Sequence, residues 1–290
     1  VEVVTMFERL SASFALAQSS WRVLRTDKKL IVFPFLSGVS CFLVLAAFAL
    51  PFLAQPQWLR AVTDAMDANN KPPTWVYPVV FAYYFCNYFV IIFFNAALVS
   101  CALIRFNGET PTLGDGLAAA GRCLPQILAW ALVSATVGLL LKMVENAHEK
   151  AGAFISALLG TAWTVMTYFV VPVLVVERVG PIAAIGRSLS ILRRTWGEAL
   201  VGRLGLGLFL FLLALPGVLL LLAGGAVATQ VLLAPGIALI VLGVLYLVLV
   251  SAAGSALQGI FVGALYEYAA RGRVPDGFDG QAIQRAFGAK

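Results

Sequence analysis

The polar side chains buried deepest in the long apolar stretches of this sequence are uncharged. One stretch carries Tyr84, Asn87, Tyr88 and Asn95, and another carries Thr161, Thr164, Thr167 and Tyr168 just ahead of Pro172. Amides, hydroxyls and phenols at such spacing have two uses in a membrane. They can line a hydrated path for a small solute or ion, with Asn87, Asn95, Thr161, Thr164 and Tyr168 as its polar groups. They can instead bond helix to helix and fix register, at about 0.6 kcal/mol per bond. Packing is favoured, because a transport path usually adds an ionisable group at mid-depth and these two stretches hold none. Pro172 has no N–H to offer the Tyr168 carbonyl, which calls for a neighbouring hydroxyl or a water.

Catalytic chemistry finds less support. The sequence contains no GxxxxGK[ST], HExxH, GxSxG or GxGxxG pattern. His148 stands between Glu145 and Glu149 in a charged connection and reads as a solvated loop residue. Cys41, Cys86, Cys101 and Cys123 show no CxxC spacing, so neither a zinc site nor a disulfide framework is indicated. No cofactor and no metal is expected, and an enzyme is disfavoured. A lipid-modifying enzyme would rest on an arginine cluster and Glu177 alone.

The strongest local pattern is Ser251, Ser255, Gly259 and Gly263, at intervals of four. On a helix these positions stack on nearly one face and let another backbone approach closely. The partner is either the preceding span or another protomer.

These residues need elements to hold them. The chain is 61% hydrophobic and 12% charged, too few charges to clothe a soluble globule. Between Arg203 and Glu267 no residue is charged, a stretch that as one helix would reach about 95 Å against a hydrocarbon core of about 30 Å. It must fold back, and Gly224-Gly225 and Pro235-Gly236 mark the expected connection, Ala226–Ala234. Six spans are expected near Leu30–Ala54, Val76–Ile104, Leu124–Leu141, Gly152–Val176, Leu204–Ala223 and Gly236–Tyr266. The fold class is thus all-α: a single polytopic transmembrane domain over 1–290, with an amphipathic helix in 1–28, the bundle in 30–266 and a tail in 267–290.

Charge orients the bundle. Arg60, Lys71, Lys142 and Lys150 are the only cations in three of the connecting segments, while the other sixteen Lys and Arg residues fall in the segments alternating with them. Cations are retained on the cytoplasmic side, so both termini are expected there. Arginine outnumbers lysine fourteen to six amid abundant alanine and glycine, which points to a GC-rich bacterial genome. The net charge of +6 sits beside spans, so anionic lipid headgroups are the expected counter-charge and nucleic acid is not.

Two cytoplasmic segments carry a helical stripe: Phe7, Leu10, Phe14, Ala17, Trp21 and Leu24, then Ile182, Ile185, Leu189, Leu192 and Trp196 with Arg187, Arg193 and Arg194 between them. Pro181 suits a helix start and Gly197 a stop. Such helices either lie in the headgroup layer, with Trp21, Trp196 and the three arginines touching lipid or partner, or floor the bundle. Leu113, Leu117, Ala120 and Leu124 repeat the spacing behind Thr110-Pro111-Thr112. The chain would then be three units of amphipathic helix plus hairpin, beginning near Met6, Pro111 and Pro181. At the span ends, Glu267 and Arg271 form an i,i+4 pair.

The sequence resembles a family of bacterial six-span inner-membrane proteins known only as a domain of unknown function. The resemblance is carried by Met6-Phe7-Glu8-Arg9-Leu10, Ser20-Trp21-Arg22-Val23-Leu24, Thr110-Pro111-Thr112, the run from Val170 to Glu177, and Arg193-Arg194-Thr195-Trp196-Gly197-Glu198-Ala199. Ala264-Leu265-Tyr266, the run from Val274 to Asp279, and Ala286-Phe287 extend it to the tail. More distantly, Val171 to Ser188 is similar to the membrane domain fused to some glycerophosphodiester phosphodiesterases, without their acid or metal cluster. Neither resemblance implies an activity. The expected function is a non-enzymatic membrane component working by helix packing, as a homo-oligomer or with other membrane subunits. The alternative is a channel or permease for a small solute or ion.

Overall fold

The computed structural model describes residues 18–69, 71–147, 151–230 and 232–278, and among these every regular element is helical. Helix α1 covers 18–26 and a 3-10 turn, Lys28–Ile31, leads into α2, Val32–Ala54. Then follow α3 (Pro56–Asn69), α4 (Val76–Phe106), α5 (Leu113–Arg122), α6 (Leu124–Ala147) and α7 (Ala151–Met166). The chain ends with α8 (Val170–Glu177), α9 (Pro181–Gln230) and α10 (Leu233–Arg271). Among the described residues six segments are long and apolar enough to cross a membrane: Lys28–Ala54, Val76–Phe106, Leu124–Asn146, Ala151–Glu177, Leu206–Thr229 and Leu233–Arg271. The protein is a multi-pass, all-α membrane protein. Phe7, Leu10, Phe14, Ala17 and His148 lie outside the described residues.

Two expectations about the elements need correction. The amphipathic helix of 181–196 does not stop at Gly197. It runs on into the fifth span as the 50-residue α9, and at about 1.5 Å per residue this helix is far longer than the bilayer core. One glycine costs only about 1 kcal/mol against alanine, too little to end a helix continued by good formers such as Glu198, Ala199 and Leu200. The connection expected at Ala226–Ala234 is much shorter, because α9 continues through Gly224-Gly225 to Gln230 and α10 begins at Leu233. The fourth span lies where expected, within Ala151–Glu177. It breaks at Thr167–Phe169 between α7 and α8.

Contacts divide the chain into two compact units. The first holds α1, the end of α4 from Cys101, the loop to Leu113, α9 from Ile191, and α10 with its tail. Its helical hairpin is built on glycine. A Cβ on Gly236 would lie 2.4 Å from the Ala228 nitrogen, and one on Gly224 would lie 2.8 Å from the Ile240 nitrogen. In the turn before Pro216, the Tyr246 hydroxyl donates to the Leu213 carbonyl at 2.8 Å. Gly272 ends α10 in the left-handed region (φ 67°), where its N–H reaches the Glu267 and Tyr268 carbonyls. The tail then folds back: the Asp276 N–H donates to the Phe106 carbonyl at 3.3 Å, and the Phe278 ring meets Phe106 edge-on at 5.7 Å. Asp27 faces Arg105 at 4.0 Å, and the expected Glu267–Arg271 pair forms at 3.0 Å.

The second unit holds α2 from Phe35, α3, α4 through Ser100, α5 from Gly114, α6, α7, α8, and α9 through Ser190. Tyr88 of α4 lies over Gly138 of α6, where an added Cβ would come 3.0 Å from the phenol oxygen. Trp130 of α6 stacks on Trp163 of α7 at 5.6 Å and 13°, and the Ser156 hydroxyl donates to the Leu141 carbonyl at 3.0 Å.

Small residues hold many of the packed positions on α5, α6 and the start of α9. Along α5 and α6 Gly116, Ala120, Cys123, Ile127, Trp130, Ala131, Ser134 and Ala135 are buried, while Leu117, Leu124 and Leu128 are exposed. On α9 Ala184 and Ser188 are buried, whereas Ile182 is 86% exposed. Of the stripes expected from Leu113 and from Ile182, Ala120 and Leu192 are buried while Leu117, Leu124 and Ile182 are exposed, so the packed faces follow them only in part. In lipid a leucine gains little from burial, and close packing favours small side chains between helices.

Candidate functional site

The break in the fourth span is the most constrained polar feature of the second unit. Thr167, Tyr168 and Phe169 form a turn, and the Val170 N–H returns to the Thr167 carbonyl at 3.1 Å. A backbone donor exposed at such a break needs an acceptor. The Phe169 N–H finds it in the Ser188 hydroxyl of α9 at 3.0 Å, and both residues are fully buried. Beyond the break, Arg178 caps α8 in the left-handed region (φ 52°), its N–H donating to the Leu174 carbonyl. The Gln126 amide donates to the Arg178 carbonyl at 3.4 Å. Glu177 pairs with Arg187 at 2.9 Å, so α8 and α9 are tied by a hydroxyl and by an ion pair.

Three of the residues expected on a polar path bond within their own helices. The Asn87 amide donates to the Tyr83 carbonyl at 3.0 Å, one turn back on α4. Thr161 and Thr164 are exposed and donate to the Ala157 and Gly160 carbonyls, both at 2.8 Å. Asn95 is half-buried on α4. Tyr168 lies in the break, its ring edge-on to Phe169 at 4.9 Å. Among the described residues no hydrogen bond joins Asn87 or Asn95 to Thr161 or Thr164.

The four-residue stripe of α10 divides. Gly259 and Gly263 are buried, whereas Ser251 and Ser255 are exposed. The close crossing to α9 runs along other glycines: Gly243 against Leu221 and the Gly217 carbonyl, and Gly254 against Leu210. Beside Ser251 and Ser255 on the exposed face stands Gln258, seven residues from Ser251. At 100° per residue the three side chains fall within about 60° of helix surface.

Of the residues expected at lipid headgroups or a partner, Trp21 is half-buried against Phe209 (6.2 Å, 64°), Arg187 is paired with Glu177, and Arg193 is exposed. The side chains of Arg194 and Trp196 lie outside the described residues.

Sequence reasoning alone misses α3 and what it covers. Trp58, Val62, Ala65 and Met66 recur at helical spacing, opposite Arg60, Asp64 and Asp67, although this segment reads first as a charged connection. Ala47, Phe48, Pro51 and Phe52 of α2, Trp58 and Ala61 of α3, Trp75, and Val79 of α4 line a half-open groove of 570 Å³. Phe52 stacks on Trp75 at 6.0 Å, and Trp58 meets both rings at 6.0 and 6.4 Å.

Among the described residues no three His, Cys, Asp or Glu side chains gather as metal ligands would. The buried thiols of Cys101 and Cys123 point to the Thr112 and Val175 carbonyls at 3.4 and 3.9 Å. No curated protein and no solved structure matches the chain significantly. One family does, over residues 74–277, from the approach to α4 to the folded-back tail. The chain therefore belongs to the family of unknown function DUF6159.

Proposed function

We propose that the protein is a non-enzymatic component of a bacterial cytoplasmic membrane, acting by helix packing as an oligomer or as a subunit of a larger membrane complex. The observation that carries this reading is the exposed α10 face, where Ser251, Ser255 and Gln258 share one side of a span amid exposed Val244, Leu245 and Val248. An amide facing lipid is costly, and small side chains beside it admit a second backbone closely. The charge partition supports both termini in the cytoplasm, with exposed Arg193 near anionic headgroups.

The test is proximity crosslinking in native membranes of a Ser255→Cys variant lacking the four native cysteines. A crosslinked dimer or hetero-complex that Gln258→Leu weakens is expected. Absence of any crosslink at Ser255 would remove the reading.

A second reading, a channel or permease for a small solute or ion, is favoured by the broken span, since discontinuous helices border solute paths in many transporters. Liposome flux above that of empty vesicles, reduced by Asn87→Leu or Asn95→Leu, would establish it. Flux no higher than empty vesicles removes it.

A further inference from the structure

We infer that the groove between α2, α3 and the start of α4 holds one acyl chain of a zwitterionic bilayer phospholipid. Its volume of 570 Å³ falls within the size range of small-molecule sites, about 300–1,000 Å³. What sets its occupant is what the walls lack. No charged side chain lines it, and the indole N–H groups of Trp58 and Trp75 are the only polar side-chain groups among its lining residues.

An extended peptide segment would bring backbone N–H and C=O groups that these walls leave without partners. A water-soluble ligand would find too few polar groups to orient it. An acyl chain asks for none. The groove lies where α2 ends at Ala54 and α4 begins at Val76, the depth at which hydrocarbon gives way to headgroups and tryptophan settles.

Charge narrows the choice of lipid. Helix α3 turns Trp58 and Ala61 to the groove and carries Arg60, Asp64 and Asp67, with Lys71 following. Two cations and two carboxylates balance, so this segment presents both signs and no net charge to the headgroup layer. A headgroup bearing one phosphate and one ammonium matches that pattern, whereas an anionic headgroup meets as much repulsion as attraction.

The experiment measures phospholipid retained per chain after stringent detergent washing of the full-length protein, with the lipid class determined by mass spectrometry. Wild type is expected to keep about one zwitterionic phospholipid, as one such groove holds a single chain. Ala61→Phe and Ala47→Phe, which fill the groove from opposite walls, are expected to abolish that retention. Ala157→Phe, on an exposed face of α7, is expected to leave it unchanged. Helicity by circular dichroism confirms that the filled variants fold, and two filling positions guard against one that does not. An equal ratio in the filled variants, retention of an anionic lipid or of detergent alone, or no retained lipid in wild type would each overturn the assignment.

Discussion

The Ser188 hydroxyl accepts the Phe169 N–H where the fourth span loses its helical ladder, so one small side chain supplies an acceptor at the break. Ser188→Ala leaves that donor buried without a partner and should lower unfolding stability by about 1–3 kcal/mol, with faster hydrogen exchange at Phe169. Ser188→Thr keeps the oxygen and should retain the protection. Equal exchange in wild type and Ser188→Ala would show that the hydroxyl is idle. Glu177 offers a contrast. Its ion pair with Arg187 is partly exposed, so Glu177→Gln should change stability by no more than about 1 kcal/mol in thermal unfolding. Lipid turnover lost in that variant would instead revive an enzymatic reading. Pro172 marks the region of the break in the sequence, but its polar partner on α9 is a serine among many, legible only once α8 and α9 meet.

At the scale of elements the hairpin of α9 and α10 makes a sharp comparison. A methyl group on Gly224 would meet the Ile240 nitrogen and the Gly236 carbonyl, while one on neighbouring Gly225 meets nothing within 4 Å. Gly224→Ala should therefore destabilise by about 1–3 kcal/mol, as overpacking does. Gly225→Ala should be neutral or stabilising by about 0.5–1 kcal/mol, the helical cost of glycine. Matching melting points for the two variants would contradict the crossing. The six spans are legible in the sequence because length and hydropathy suffice for them. The packed faces are legible only in part. The stripes from Leu113 and Ile182 bury Ala120 and Leu192, yet Leu117 and Ile182 are exposed while Gly116 and Ala184, outside the stripes, are packed. Helix α3 escapes notice because Arg60, Asp64 and Asp67 mask the spacing of Trp58, Val62 and Ala65, and its groove requires residues from three elements.

For the whole molecule, the alternation of charge along the chain predicts the orientation, and no Lys or Arg falls in the middle of a described candidate span. In a background without native cysteines, a cysteine replacing Asp67 should react with an impermeant maleimide in intact cells. One replacing Arg193 should react only after the membrane is opened. The reverse pattern would invert the topology. The proposal of assembly rests on the polar face of α10, and native mass spectrometry of the protein extracted gently from its own membrane tests it most directly. A mass above that of one chain with its lipid, made of further copies or of other membrane proteins, is predicted. A single chain carrying nothing but lipid would contradict it.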